Sequence, residues 1–266
     1  MSSVAICTDS SALLPAGDVE RLDLSVVPIA IALDGEPFDE QTHEIDDFYA
    51  LLFAGAKATT AQPSPGEFLV AYASAAAGGA TEVLSIHLDA RVSGAIGAAE
   101  LAAREAAIPV TVVDTGTVSF GVGACVREAA RAVVAGTSTR EAAAAARLLG
   151  AEMQNVFVAR GGGGRVRGEP GWAALTFVDG KTEVLVQCES VDEVVGIMAA
   201  GVLRGARSIR VAVGHAAEAI RPAADALAET LASASQVMEV ERYRVGAAVG
   251  AHTGPLSFGA FWWPAE

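Results

Sequence analysis

Between Val4 and Gly150, short apolar runs rich in β-branched residues alternate with stretches that carry helix-start signals, and this alternation confines the chain to few architectures. Val4–Thr8 (VAICT) reads as a buried strand that runs into the polar turn Asp9-Ser10-Ser11. Leu24–Leu33 reads as a second strand stopped by Asp34-Gly35, Thr81–Leu88 as a third and Val110–Val113 as a fourth. Helical segments separate them. Ile45–Phe53 is amphipathic, and Ser64 with Glu67 forms a capping box with Pro65 at the first helical position of a segment reaching Ala77. Ala95–Ala107 is rich in alanine, Phe120–Ala135 is closed by Gly136, and Ser138 with Glu141 opens a helix that ends before Gly150. Such alternation predicts a mostly parallel sheet with helices on its faces.

After about residue 155 the pattern changes. Gly161–Gly164 is a run of four glycines and reads as a flexible loop. Leu175–Val178 and Thr182–Gln187 flank Asp179-Gly180, a hairpin signal. Ser190 and Glu193 open a helix to about Arg204; strands at Ile209–Val213 and Val237–Tyr243 enclose a helix at Ala217–Ala232, and Leu256–Trp262 is the last strand. The fold class expected is α/β in two domains, an N-terminal domain at 1–153 with a mostly parallel sheet and flanking helices, and a C-terminal α+β domain at 154–266.

Composition narrows the function. With 18 Lys and Arg against 32 Asp and Glu, the net charge of −14 argues against a nucleic-acid partner, because counterion release needs cations. It also opposes anionic ligands at long range, so an anion site must be built locally from hydroxyls, amides and helix N-termini. No apolar run reaches the roughly 20 residues of a membrane span, and Met1–Asp9 lacks a signal-peptide pattern, so a cytoplasmic chain is expected. Three scattered cysteines, Cys7, Cys125 and Cys188, suggest neither a disulfide framework nor a zinc site, and the four histidines form no metal constellation. There is no phosphate-binding P-loop and no nucleophile elbow, and Gly121-Val122-Gly123 lacks the third glycine of a dinucleotide fingerprint. No catalytic residue, metal or cofactor is predicted.

Ligands of open parallel sheets bind beyond the carboxyl ends of the strands. Four polar clusters fall near such ends: Thr8–Ser11, Thr59–Gln62, Arg91–Gly94, and Asp114-Thr115-Gly116 with Ser119. Ser93 and Gly94 lie where a helix should begin. The hydroxyl there either caps that helix or, with the free backbone amides behind it, cradles a carboxylate or phosphate. His252 sits in Gly250-Ala251-His252-Thr253-Gly254-Pro255 and reads as a turn histidine able to donate to an anion or to serve as acid or base; it is equally a surface-loop residue. Arg165, after the four glycines, is either an anion fork or a solvated loop charge.

At these residues the sequence resembles the DegV family. The resemblance runs through Thr8-Asp9-Ser10 with Leu13-Leu14-Pro15, then Thr60-Ala61-Gln62-Pro63-Ser64-Pro65-Gly66-Glu67-Phe68, Ser93-Gly94, Val113-Asp114-Thr115 with Ser119-x-Gly-x-Gly, Gly163-Gly164-Arg165-Val166, and Gly250 to Pro255, in that order along nearly the whole chain. The Gln-Pro-Ser-Pro and His-Thr-Gly-Pro segments are the most specific. The resemblance implies two α/β domains, a long-chain fatty acid with its tail in an apolar tunnel, and a carboxylate contacted by Thr60, Ser93 and His252, with Gly94 and Arg165 as further ligand-binding candidates. It implies a monomeric carrier without catalysis of its own, presenting the lipid to a separate fatty acid kinase subunit. The chain departs from the family pattern at Gly161-Gly162, where basic residues are usual, and at the acidic stretch Gln187–Glu193. A Ser93/His252 acyl hydrolase and a divergent family member sensing another small carboxylate are the alternatives.

Overall fold

The computed structural model describes residues 3–40, 42–160 and 171–265. Its elements in chain order are β1 (Val4–Asp9), α1 (Ala16–Arg21), β2 (Leu24–Val27), β3 (Ala30–Leu33), β4 (Glu36–Phe38), α2 (Ile45–Phe53), β5 (Ala58–Ala61), α3 (Pro65–Ala77), β6 (Glu82–His87), α4 (Ala95–Glu105), β7 (Val110–Asp114), α5 (Phe120–Val134) and α6 (Thr139–Glu152). They continue with β8 (Gln154–Val158), β9 (Trp172–Val178), β10 (Lys181–Cys188), α7 (Val191–Leu203), β11 (Ile209–His215), α8 (Arg221–Ala232), β12 (Val237–Arg244), α9 (Ala247–Thr253) and β13 (Phe258–Pro264). Short 3₁₀ turns stand at Ser10–Ala12 and Glu218–Ile220.

The chain divides into two compact units. The first comprises residues 1–30 and 61–152, the second residues 31–60 and 153–266. The second unit thus takes an early excursion, 31–60, that the sequence boundaries of 1–153 and 154–266 leave in the first.

In the first unit the strand order is β2-β1-β6-β7, every pairing parallel, as the alternation predicts. Side chains alternate across a strand, so each strand feeds two cores. Ile6, Leu84, Ile86 and Val113 pack with Val122, Val126 and Ala129 of α5 and Ala142 and Ala146 of α6. Cys7 and Val83 face the other way, against Phe68 and Tyr72 of α3 and Ala95, Ala98 and Ala102 of α4. The start of α3 has the capping box expected: Ser64 Oγ accepts from Glu67 N, and Glu67 Oε2 accepts from Ser64 N at 2.7 Å. Two expectations need correction. Leu24–Leu33 is not one strand, because Pro28 has no N–H for a ladder; β2 ends before it, and β3 joins the small sheet β4-β3-β5 instead. Helix α6 does not stop before Gly150 but continues to Glu152. Gly150 is there for close packing, since a Cβ on it would lie 2.1 Å from the Thr115 carbonyl oxygen.

The second unit carries a mixed sheet of order β10-β9-β8-β13-β11-β12, in which only β11 and β12 run parallel. Asp179 and Gly180 both take positive φ, 50° and 77°, which is the turn the hairpin of β9 and β10 requires. Helices α7 and α8 pack together and supply Val194, Met198, Val202, Leu227 and Leu231 to one core with Val156, Val211, Val213 and Phe258 of the sheet. This unit is an α+β arrangement, whereas the first is a doubly covered parallel sheet.

Candidate functional site

At the carboxyl edge of the parallel sheet, most of the polar residues singled out by sequence are engaged within the fold. Thr8 Oγ1 donates to the Ile86 carbonyl at 2.8 Å, and Thr115 Oγ1 donates to the His87 carbonyl at 2.9 Å, so both hydroxyls stitch neighbouring strand ends. Asp114 accepts from Ala90 N and Gly116 N. Asp89, buried, takes a fork of hydrogen bonds from Arg91, which hold its carboxyl below the usual carboxylate range. Gly123 is not part of a dinucleotide loop: a Cβ there would stand 2.3 Å from the Ala12 carbonyl, so the glycine lets α5 approach the 3₁₀ turn after β1.

Below that edge lies a chain of side-chain contacts that sequence reading did not anticipate. Asp9 Oδ2 meets His87 Nδ1 at 2.7 Å, His87 Nε2 meets Ser85 Oγ at 2.7 Å, and Ser85 Oγ meets Tyr72 Oη at 2.9 Å. Ser11 donates to Asp9 through both its amide and its hydroxyl, and Phe68 stands edge-on to the His87 ring at 4.9 Å. The order is that of a Ser-His-Asp relay, but Asp9, Ser85 and His87 each have 0% exposure. A nucleophile sealed in this way meets no substrate, so the chain is a buried polar brace joining β1, β6 and α3. Its one sequence signal is polar residues inside otherwise apolar strands, Ser85 and His87 in EVLSIH.

Ser93 is half-buried and its Oγ accepts from the amide of Ala95, the first residue of α4, at 3.2 Å; its hydroxyl proton remains available for an acceptor. Gly94 precedes the first residue of α4 and is exposed. The amide end of Gln62 lies against it, 2.0 Å from where a Cβ would be, so a larger residue at 94 would push that exposed side chain aside. Gln62 therefore belongs with Ser93 and Gly94 in the first unit, a neighbourhood that sequence spacing alone does not reveal.

In the second unit Thr60 and His252, 192 residues apart, are brought together: Thr60 Oγ1 and His252 Nε2 are 2.9 Å apart. The turn expected for His252 is a short helix instead, α9, with His252 in its last turn and Gly254 at φ 84° ending it. Gly250 does not break this helix because it is needed inside it, where its bare Cα admits Tyr49. His252 is exposed by area, yet protein crowds it closely enough that desolvation lowers its pKa, so the free protein holds a neutral imidazole at neutral pH. With the neutral ring donating Nε2–H to Thr60 Oγ1, the Thr60 O–H is left to donate to a carboxylate oxygen.

Nearby in the same unit, Arg244 bridges Glu218 and Asp46, and His215 Nε2 lies 3.4 Å from Glu218. Burial lowers the pKa of His215 as well. Arg165 lies outside the described residues. The three cysteines are free and buried, and burial pushes the Cys7 and Cys125 thiols up to about 12, which leaves them unreactive. Among the described residues there is no cluster of His, Cys, Asp and Glu able to hold a metal ion, and no helix is long and apolar enough to cross a membrane.

The fold and these two neighbourhoods define a class of two-unit α/β proteins, one unit a doubly covered parallel sheet and the other a mixed sheet with helices on it. The chain belongs to the DegV family. The family model described as "Uncharacterised protein, DegV family" matches residues 3–160. A DegV domain-containing protein of Streptomyces coelicolor is 34% identical over 272 residues, covering 95% of each chain. One of Mycobacterium tuberculosis is 33% identical over 279 residues, covering 97% of this chain and 96% of the relative. Among solved structures, a DegV family protein from Thermus thermophilus described as fatty acid binding superposes with a TM-score of 0.89 at 27% identity, covering 98% of this chain and 99% of that one. A DegV lipid binding protein from Thermotoga maritima, at 23% identity and a TM-score of 0.88 over 99% of both chains, has the same fold.

Proposed function

We propose that this protein binds a long-chain fatty acid, holds its carboxylate through the Thr60–His252 pair, and carries the lipid without transforming it. The observation that supports this reading best is the meeting of Thr60 and His252 from distant parts of the sequence. Fatty acid binding in the Thermus thermophilus relative, which shares the fold from end to end, points the same way. A carboxylate accepting from the pair gains a charge-assisted hydrogen bond, and each methylene of the tail buried in an apolar tunnel adds about 0.8 kcal/mol. Binding by a buried tail and few polar groups suits a chain whose net charge of −14 repels anions at long range.

Ser93 and Gly94 are retained as ligand-binding candidates of the first unit, Ser93 with a hydroxyl proton available for an acceptor. Arg165 is retained as a ligand-binding candidate on the family resemblance alone. The partner is a separate kinase subunit that phosphorylates the presented carboxylate.

Native mass spectrometry of the purified protein, followed by lipid identification after denaturation, tests the reading. A bound fatty acid is the expected result. A protein that is empty and takes up no added fatty acid overturns it. For the partner, addition of a bacterial fatty acid kinase with ATP and magnesium should yield acyl phosphate only when this protein is present; equal turnover without it removes the carrier role.

A further inference from the structure

The excursion 31–60 does more than deliver Thr60. It touches α9 at three levels along seven residues. At the start of the helix, Glu40 accepts a hydrogen bond from Ala247 N. In the middle, Tyr49 packs on Gly250, where a Cβ would stand 2.6 Å from the phenol oxygen and 3.0 Å from the nearest ring carbon. In the last turn, Thr60 meets His252. Tyr49 is 1% exposed, and its hydroxyl donates to the Val245 carbonyl at 2.7 Å, just before the helix. The Arg244 guanidinium lies over the Tyr49 ring, 5.8 Å from its centroid, and pairs with Asp46 one turn earlier on α2. A two-turn helix has little stability of its own, so its position is set by what grips it.

We propose that Tyr49 and Gly250 are positioning residues: the phenol seated in the glycine notch fixes the height and rotation of α9 and thereby the Thr60–His252 pair. Alanine at 250 must push α9 or Tyr49 aside, because the atom it meets belongs to a fully packed, hydrogen-bonded ring and not to the loose end of a flexible chain. Either displacement carries His252 away from Thr60. Removing the phenol oxygen by Tyr49→Phe takes away the nearest clashing atom and leaves a ring carbon at 3.0 Å, a contact that a small shift relieves. The two substitutions should therefore be strongly non-additive.

This proposal rests on the fatty-acid reading for its consequence but not for its test. The His252 ring is titrated by NMR in the ligand-free wild type, Gly250→Ala, Tyr49→Phe and the double variant, with circular dichroism and tryptophan fluorescence as controls of folding. In Gly250→Ala the His252 midpoint should move up toward the ordinary histidine value as the crowding that lowers it is lost, and palmitic acid should bind about tenfold more weakly, the equivalent of one hydrogen bond. In the double variant both should return to the level of Tyr49→Phe alone. A folded Gly250→Ala protein with an unchanged His252 titration overturns the proposal, as does a double variant no better than Gly250→Ala. Should Gly250→Ala not fold, Tyr49→Leu decides: it empties the notch of its ring and must shift the His252 midpoint, and an unchanged one overturns the proposal. Wild-type protein without affinity for palmitic acid refutes the fatty-acid reading and leaves the titration to judge the clamp.

Discussion

Replacing His87 by leucine tests whether the sealed Asp9–His87–Ser85–Tyr72 chain is a brace. The substitution keeps an apolar side chain of useful size at a position with 0% exposure, but it takes the Nδ1 partner from Asp9 and the Nε2 partner from Ser85. Ser85 keeps Tyr72, and Asp9 keeps Ser11, so neither is wholly stranded. The main loss is a buried carboxyl deprived of its ring partner, which costs about 3–5 kcal/mol. With a urea slope of about 2 kcal/mol per molar, the unfolding midpoint should fall by about 1.5–2.5 M. Far-UV circular dichroism reports both units, whereas Trp172, Trp262 and Trp263 all lie in the second, so tryptophan fluorescence serves as an internal comparison. Ser85→Ala, which removes a neutral group, should cost about 1–3 kcal/mol, clearly less than His87→Leu. A His87→Leu midpoint within about 0.5 M of wild type, or the reverse order of the two variants, would show that the contacts carry little of the unit's stability.

Ser93→Ala should weaken palmitate binding by roughly 1.5–3 kcal/mol in isothermal titration, since a carboxylate would lose a charge-assisted hydrogen bond; unchanged affinity removes Ser93 from the site. The depressed pKa values of His215 and His252 mean that their neutral forms stabilise the fold fully above the ordinary histidine value of 6.5, and that this contribution is lost as pH falls through the depressed values. Urea midpoints measured from pH 8 to pH 5 should decline, and the decline should be shallower in the His215→Gln/His252→Gln protein. A carboxylate placed beside His252 favours the protonated ring, so fatty acid binding should take up protons near neutral pH; calorimetry in buffers of different ionisation enthalpy giving no uptake would separate the carboxylate from His252. Gly150→Ala should destabilise by about 1–3 kcal/mol through the clash with the Thr115 carbonyl, seen as a lower thermal midpoint.

Local chemistry made much of the fold legible. The Ser64-Pro65-Glu67 start and the Asp179-Gly180 hairpin are decided by neighbours in sequence, and the structure has them where their residues predict. What was not legible depends on distant partners. Gly150 reads as a helix stop and Gly250 as part of a turn until the Thr115 carbonyl and the Tyr49 phenol that occupy their missing side-chain space are known. The assignment of residues 31–60 to the second unit goes with contacts to Arg244, Val245 and helix α9, made much later in the chain. Site residues were harder still, because Ser, Thr and Asp at strand ends cap helices and stitch strands with the same atoms that bind anions. Thr8 and Thr115 are stitches, and Ser93 accepts from the Ala95 amide with a proton left over.

The split path of the second unit has a consequence for biosynthesis. Residues 31–60 leave the ribosome early, but the helix that Glu40, Tyr49 and Thr60 grip follows far behind: His252 is 192 residues after Thr60. At 5–20 residues per second that interval is roughly 10–40 s, long enough for the parallel sheet on either side of the excursion to complete itself first. Throughout that time β3, β4, α2 and β5 are tethered at both ends without α9, and Tyr49, which packs on Gly250 in the finished fold, awaits its partner. The nascent chain is therefore most open to misassociation and to chaperones at this loop, well before the residues that will receive it have been made.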